Sequence, residues 1–125
     1  MAVNIIWEVN GLALELDMSD YDTAVKYREA FDLMSEESKG FKDDGDGDPE
    51  LLKEYSLLFY RLFDRIFGDG TGEKIFGGKY NVRKCEEYYD DFLNFVHTQK
   101  EATNRQRIEI LSKYKPARAA RRAKK

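Results

Sequence analysis

Five glycines fall between Gly68 and Gly78, and Ile75 and Phe76 sit among them. This mixture constrains the chain more than any other stretch. A free linker would be polar throughout. Here two large apolar side chains must be buried, so the segment has to fold back onto the helices that flank it. Glycine reaches positive φ without a Cβ clash, which lets the chain reverse tightly. The reading is therefore a helix–helix connection with a short inserted turn at Thr71–Phe76.

A chain of 125 residues is one domain by default. At this size, folding buries roughly 65% of the unfolded surface, enough for a modest core. Eight Phe, eight Tyr and one Trp argue for a packed globule rather than a disordered chain. No apolar run approaches the ~18 residues of a membrane helix. The start, Met-Ala-Val-Asn-Ile-Ile-Trp-Glu, lacks a basic region and a small-residue cleavage site, so no signal peptide is expected. One cysteine, Cys85, allows no internal disulfide and suits a reducing cytoplasm.

Local signals predict an α+β fold: a two-stranded antiparallel β-hairpin packed on a three-helix bundle, with a basic C-terminal tail. The hairpin covers residues 2–18. Val3, Ile5, Trp7 and Val9 alternate with polar residues, Ile6 being the exception. Asn10-Gly11 then supplies the positive φ values of a type I′ turn. Leu12, Leu14, Leu16 and Met18 resume the alternation. A lone hairpin is marginal in water, so its apolar face must cover helices or another chain.

The first helix is placed at about 20–38, with Ser19 and Asp22 as a capping box and Ala24, Tyr27, Phe31 and Met34 as the buried stripe. The second, 49–67, opens on Asp48-Pro49 and carries the widest apolar face, from Leu51 to Phe67. The third, about 82–112, is capped by Asn81 and buries Val82, Cys85, Tyr88, Tyr89, Phe92, Phe95 and Val96. Residues 1–112 form the single domain; 113–125 form the tail, expected to be flexible when the protein is alone.

Catalytic and metal-binding motifs fail on their spacing. Asp44, Asp46 and Asp48 alternate like the first calcium ligands of an EF-hand. The position that needs Gly is Pro49, and the position that needs Glu is Tyr55. The acidic loop 41–49 therefore reads as a solvated loop. Gly78-Lys79 is followed by Tyr80 where a phosphate loop needs Ser or Thr. His97, the only histidine, lies twelve residues from Cys85 on one helix. That is roughly 18 Å of rise, too far for a nucleophile–base pair. The pairs Glu86–Glu87 and Asp90–Asp91 read as the wet face of the helix. No catalytic residue, cofactor or metal is expected, and the chain is not read as an enzyme.

Charge is segregated along the chain. Lys113, Lys115, Arg118, Arg121, Arg122, Lys124 and Lys125 are seven basic residues with no acid among them; taking them from the net −3 leaves −10 on residues 1–112. Clustered Lys and Arg suit phosphate contacts. The acidic body would repel a polyanion, however, and Tyr114 is the tail's one stacking residue. Nucleic acid is thus the alternative partner. An acidic protein surface, including the body of a neighbouring copy, fits the same tail.

The order of these signals resembles the tail assembly chaperone-like family of tailed phages and prophages, small proteins encoded near the tail tube and tape measure genes. The features that carry it are the hairpin around Asn10-Gly11, the Ser19-Asp20 helix start, Phe63-Asp-Arg-Ile-Phe-Gly68, Gly70-Thr71, Glu73-Lys-Ile-Phe-Gly-Gly78, Asn81 with Cys85, and Lys113-Tyr-Lys-Pro116 before the Arg-rich end. Residues 63–85 are the specific part, and the acidic insertion at 41–49 departs from the pattern. The resemblance implies a protein with no chemistry of its own. It would hold the aggregation-prone tape measure protein, and in some cases tail tube subunits, in the host cytoplasm, and be absent from the mature virion. Some members are also made in a frameshift-extended form. A tail completion or connector protein is the structural alternative.

The residues expected to meet a partner are Ile5, Trp7 and Leu14 on the hairpin and Tyr88, Phe92 and Phe95 on the third helix, with the basic tail beside them. Apolar patches rimmed by charge mark such surfaces, and a client helix would anchor at i, i+3/i+4 and i+7. Self-association is a further expectation.

Overall fold

The computed structural model describes residues 3–41 and 48–114. The chain runs β1 (Ile6–Val9), β2 (Leu12–Glu15), α1 (Tyr21–Ser38), α2 (Pro49–Phe67), α3 (Thr71–Phe76) and α4 (Val82–Tyr114). The α+β class read from the sequence is the class observed. The three-helix bundle needs one correction, because the Thr71–Phe76 turn is a short fourth helix. Glycines at both ends allow it: Gly70 and Gly77 adopt left-handed φ of 89° and 67°. Ile75 and Phe76 are both buried, and the Asp64 carboxylate accepts a 2.7 Å hydrogen bond from the Gly72 N–H.

The hairpin turns at Asn10 and Gly11 with φ of 46° and 78°, the values a type I′ turn requires. Trp7 pairs with Leu14 and Val9 with Leu12. The strands are shorter than the expected 2–18. Beyond the Leu16 N–H to Ile5 carbonyl bond, backbone groups leave the ladder for side chains. Asn4 Oδ1 accepts from the Ile6 N–H, and the Gln99 amide takes the Met18 N–H and the Asn4 and Leu16 carbonyls.

α1 is capped by Asp20 rather than Ser19. Its carboxylate accepts from the Thr23 N–H at 3.0 Å and from the Thr23 hydroxyl at 2.8 Å. The expected stripe is only half-buried at Ala24, Tyr27, Phe31 and Met34, and Ala30 is the residue α1 buries fully. α2 begins as read, with Pro49 at its first turn and Asp48 accepting from the Glu50 N–H. It packs against α1, α3 and α4 and so forms the centre. α4 begins on the Asn81 cap, which accepts from the Lys84 N–H. Its 33 residues span about 50 Å, and from Asn104 to Lys113 every residue is exposed.

An aromatic cluster joins the layers. The Trp7 ring stacks on Phe63 with centroids 5.4 Å apart and meets Phe92 at 4.9 Å. Its indole N–H donates to Asp91 Oδ2 at 2.9 Å, so the polar end of a buried Trp is satisfied. One side chain thus ties the hairpin to α2 and α4.

Glu37 ties α1 to α2. Its carboxylate accepts from Arg65 Nη1 at 2.8 Å and Nη2 at 3.2 Å. Arg61 Nε lies 2.9 Å away; its charge attracts, but its N–H is not aimed at the oxygen. The Arg65 hydrogen bond, with the charges of Arg61 and Arg65, holds the Glu37 carboxyl below its ordinary value of 4.5, against burial, which pushes it up. The folded pKa is the lower one. The stabilisation is therefore complete above pH 4.5 and is lost as pH falls through the folded value. Glu37→Gln should cost about 1 kcal/mol at neutral pH, these side chains being partly exposed. Urea midpoints should converge for wild type and variant on acidification; a gap that persists in acid would refute the ion pair's role.

Candidate functional site

The open surface with the most structure lies between β1 and α4. Strand geometry sends Asn4, Ile6 and Glu8 to one side, opposite Trp7 and Val9. Helical spacing puts Asp91, Asn94, Phe95, Thr98 and Ala102 on one face of α4. Together they line a groove of about 490 Å³. Half-buried Phe95 and exposed Ile6 give it apolar area; Glu8 and Asp91 give acid, and Asn94 and Thr98 give neutral polar groups.

β1 is also an edge. The sheet has two strands, and the Ile5–Leu16 bond sets the alternation so that Ile6 and Glu8 turn their backbone groups away from β2. Asn4 takes the Ile6 N–H, and the Glu8 amide and carbonyl face outward. The groove can therefore offer both apolar contact and backbone hydrogen bonds.

The residues expected to meet a partner divide. Trp7 and Phe92 are interior, at 2% and 0% exposure, so these two are corrected to core residues. The hairpin presses Trp7 onto Phe63, and Phe92 closes the same cluster from α4. Leu14 and Ile5 are half-buried, and Leu14 packs against the core. Tyr88 lies half-buried in a separate recess with Phe76, Gly77, Lys79 and Lys84. Phe95 alone of the half-buried set lines the groove. Lys113 is exposed on α4; Lys115, Arg118, Arg121, Arg122, Lys124 and Lys125 lie outside the described residues. So do residues 42–47 of the acidic loop, while Asp48 spends its carboxylate on the α2 cap.

Ile6 was not expected in the site, though it is the one break in the strand alternation, and that break was its signal. Gln99 was not singled out either, although its spacing from Phe92 and Val96 puts it on their face of the helix. It is 3% exposed and makes three hydrogen bonds, to Met18, Asn4 and Leu16.

No reactive constellation forms around the remaining candidates. Cys85 is fully buried, and burial pushes its thiol pKa up despite a hydrogen bond with Ser56. A protonated, enclosed thiol is a poor nucleophile. His97 pairs at 3.0 Å with Glu101 on the exposed side of α4. Tyr60 is pushed up to about 12, chiefly by burial, and donates to the Lys79 carbonyl at 2.6 Å. Among the described residues no cluster of His, Cys, Asp and Glu could hold a metal ion, and no helix is long and apolar enough to cross a membrane.

No curated protein and no solved structure matches this chain. One family does, and its match begins at the hairpin turn, so β1 precedes it while β2 and all four helices lie inside it. With residues 10–125 matched, the chain belongs to the family of unknown function DUF6673.

Proposed function

We propose that this protein binds another polypeptide without chemistry of its own, as a phage tail assembly chaperone that holds the tape measure protein, and tail tube subunits as a second client. The observation that carries the reading is the β1–α4 groove, where Ile6 and Phe95 stand beside the acidic Glu8 and Asp91. An amphipathic client helix with basic flanks suits it. The resemblance over residues 63–85 supplies the client's identity. On this reading the protein acts in the host cytoplasm and leaves before the particle is finished.

Co-expression with the tape measure protein of the same phage or prophage tests it. Soluble tape measure protein should rise several-fold with the wild-type chain. Ile6→Glu and Thr98→Arg, both at exposed groove positions, should abolish the gain while leaving the thermal midpoint within about 2 °C, as surface changes do. No gain with wild type, or full gain with both variants, would sink the proposal. Mass spectrometry of purified particles should lack the chain; finding it there would favour a connector role instead.

A further inference from the structure

The β1–α4 groove carries charge of one sign. Glu8 and Asp91 line it and are exposed, and no Lys or Arg lines it. Glu15, opposite Ile6 on β2 and also exposed, adds a third carboxylate on the same sheet face. Asp91 spends one oxygen on the Trp7 indole. Among the described residues, none of these three carboxylates pairs with a base, whereas Glu36, Glu37, Glu87 and Glu101 all have partners.

Residues 115–125 carry the complementary charge. Six bases and no acid fall there, with four alanines among them. α4 leads to this segment along the groove's own face, because Thr98, Ala102, Arg105, Glu109 and Ser112 follow at three- and four-residue steps. Arg105 and Glu109 cancel, so no net charge bars the way back. The distance also fits. At about 1.5 Å per residue, Tyr114 lies about 24 Å from Thr98 and about 34 Å from Asp91 along the helix. The stretch from Lys115 to Lys125, fully extended, covers about 36 Å at about 3.3 Å per residue. Arg121 and Arg122 then come level with Thr98, and Lys124 and Lys125 level with Asp91.

We propose that residues 115–125 fold back along α4 and occupy the β1–α4 groove of their own chain. Lys124 and Lys125 meet Glu8 and Asp91 there, and the alanine methyls lie against Ile6 and Phe95. The span leaves little slack, so the segment is extended. An extended segment also suits the edge of β1, where the Glu8 amide and carbonyl face outward. Tethering selects the chain's own groove over a neighbour's, since a short linker gives an effective concentration on the order of millimolar. The charge contacts are exposed, so salt must loosen them. A client entering the groove has to displace the segment; that consequence rests on the function proposed above, and the docking does not.

Paramagnetic broadening in the full chain tests this. A nitroxide on Ala123→Cys reports on the groove, and Cys85 is buried and stays unlabelled. In about 0.05 M salt the amide signals of Ile6, Glu8, Asn94 and Thr98 should lose most of their intensity, and in about 0.5 M salt they should regain it. Glu8→Lys combined with Asp91→Asn should abolish the loss; the amide oxygen at position 91 can still accept from the Trp7 indole, so the fold is kept. Arg118→Glu, Arg121→Glu and Arg122→Glu together should abolish it from the other side. An isotope-labelled chain without nitroxide, mixed with an unlabelled chain that carries it, should show no loss. Loss in that mixture overturns the proposal in favour of a neighbouring copy. No loss at the groove overturns it too, as does a loss indifferent to salt or to the Glu8 and Asp91 changes. No loss together with binding of short duplex DNA at low salt overturns it in favour of a nucleic-acid surface. No client is present in any arm, so failure here and failure of the co-expression test are separate results.

Discussion

Gly72→Ala should remove about 3 kcal/mol of stability, read as a shift in the urea midpoint. A Cβ built at Gly72 would lie 2.7 Å from the Tyr60 carbonyl oxygen and 2.8 Å from the Tyr60 Cα. Both are backbone atoms in the middle of α2, so neither can swing aside. α3 would have to lift off α2, loosening Ile75 and Phe76 and lengthening the 2.7 Å bond from the Gly72 N–H to Asp64. Overpacking of this kind costs about 1–3 kcal/mol. A hydrogen bond to a charged group adds about 1.5–3 kcal/mol if it is lost. Alanine's better helix propensity returns about 1 kcal/mol. The net is a large share of the 5–15 kcal/mol that a typical domain has. Gly77→Ala is the control. Its Cβ meets nothing within 4 Å, and only the left-handed φ of 67° opposes it. That costs about 1–2 kcal/mol. If the two variants unfold at the same midpoint, close packing of α3 on α2 is not what Gly72 is for.

Gln99→Leu should be about as damaging and should act on the hairpin first. Gln99 Oε1 accepts from the Met18 N–H at 2.7 Å, and Nε2 donates to the Leu16 carbonyl at 2.7 Å and the Asn4 carbonyl at 3.0 Å. Leucine of similar size leaves all three groups without a partner. Each buried unsatisfied group costs about 1–3 kcal/mol; water can reach part of this site, so the sum should be about 3 kcal/mol. Amide hydrogen exchange should quicken in β1 and β2 before α2 shows any change, because the clamp joins the hairpin to α4. Gln99→Glu separates the hydrogen bonds from the volume. A carboxylate can still accept from Met18, but it faces two carbonyl oxygens, which raises its folded pKa. Its contribution is then present at low pH and lost as pH rises through that value. The glutamate variant should regain stability on acidification, and the leucine variant should not. Equal pH responses would remove the clamp from the account.

These two residues show where sequence reading stops. Gly72 is one of five glycines between Gly68 and Gly78, and nothing local distinguishes it. Only the approach of α3 to Tyr60 makes it the one whose Cβ would collide with backbone. Gln99 contacts residues more than 80 positions away; its spacing from Phe92 and Val96 marks a buried face but not the backbone groups it meets there. The same holds for the partner-binding residues. Trp7, Phe92 and Phe95 all read as apolar at regular spacing. Which of them faces the core depends on where the hairpin lands on α4, and it lands over Phe92.

Other elements were legible because their causes are local. Asn10-Gly11 dictates its turn through backbone sterics, and the strands on either side follow. Asp48-Pro49 and Asn81 start their helices by capping N–H groups two or three residues away. The apolar spacing of α2 marks it as central whatever surrounds it. At α1 the local signal is ambiguous, because Ser19 and Asp20 are both good caps, and it is Asp20 that takes the position, accepting from the Thr23 N–H.

By itself, the sequence determined the hairpin, the three longer helices, the anchored glycine segment and the opposition of an acidic body to a basic end. All of these rest on interactions within a turn or two of chain, or on simple charge counts. The tertiary structure alone decided which aromatic rings are core, that β1 and α4 leave a groove, that Gln99 clamps the hairpin, and that α4 extends past its cover. Those depend on contacts between residues far apart in sequence, and a local pattern carries no information about which distant surface will meet it.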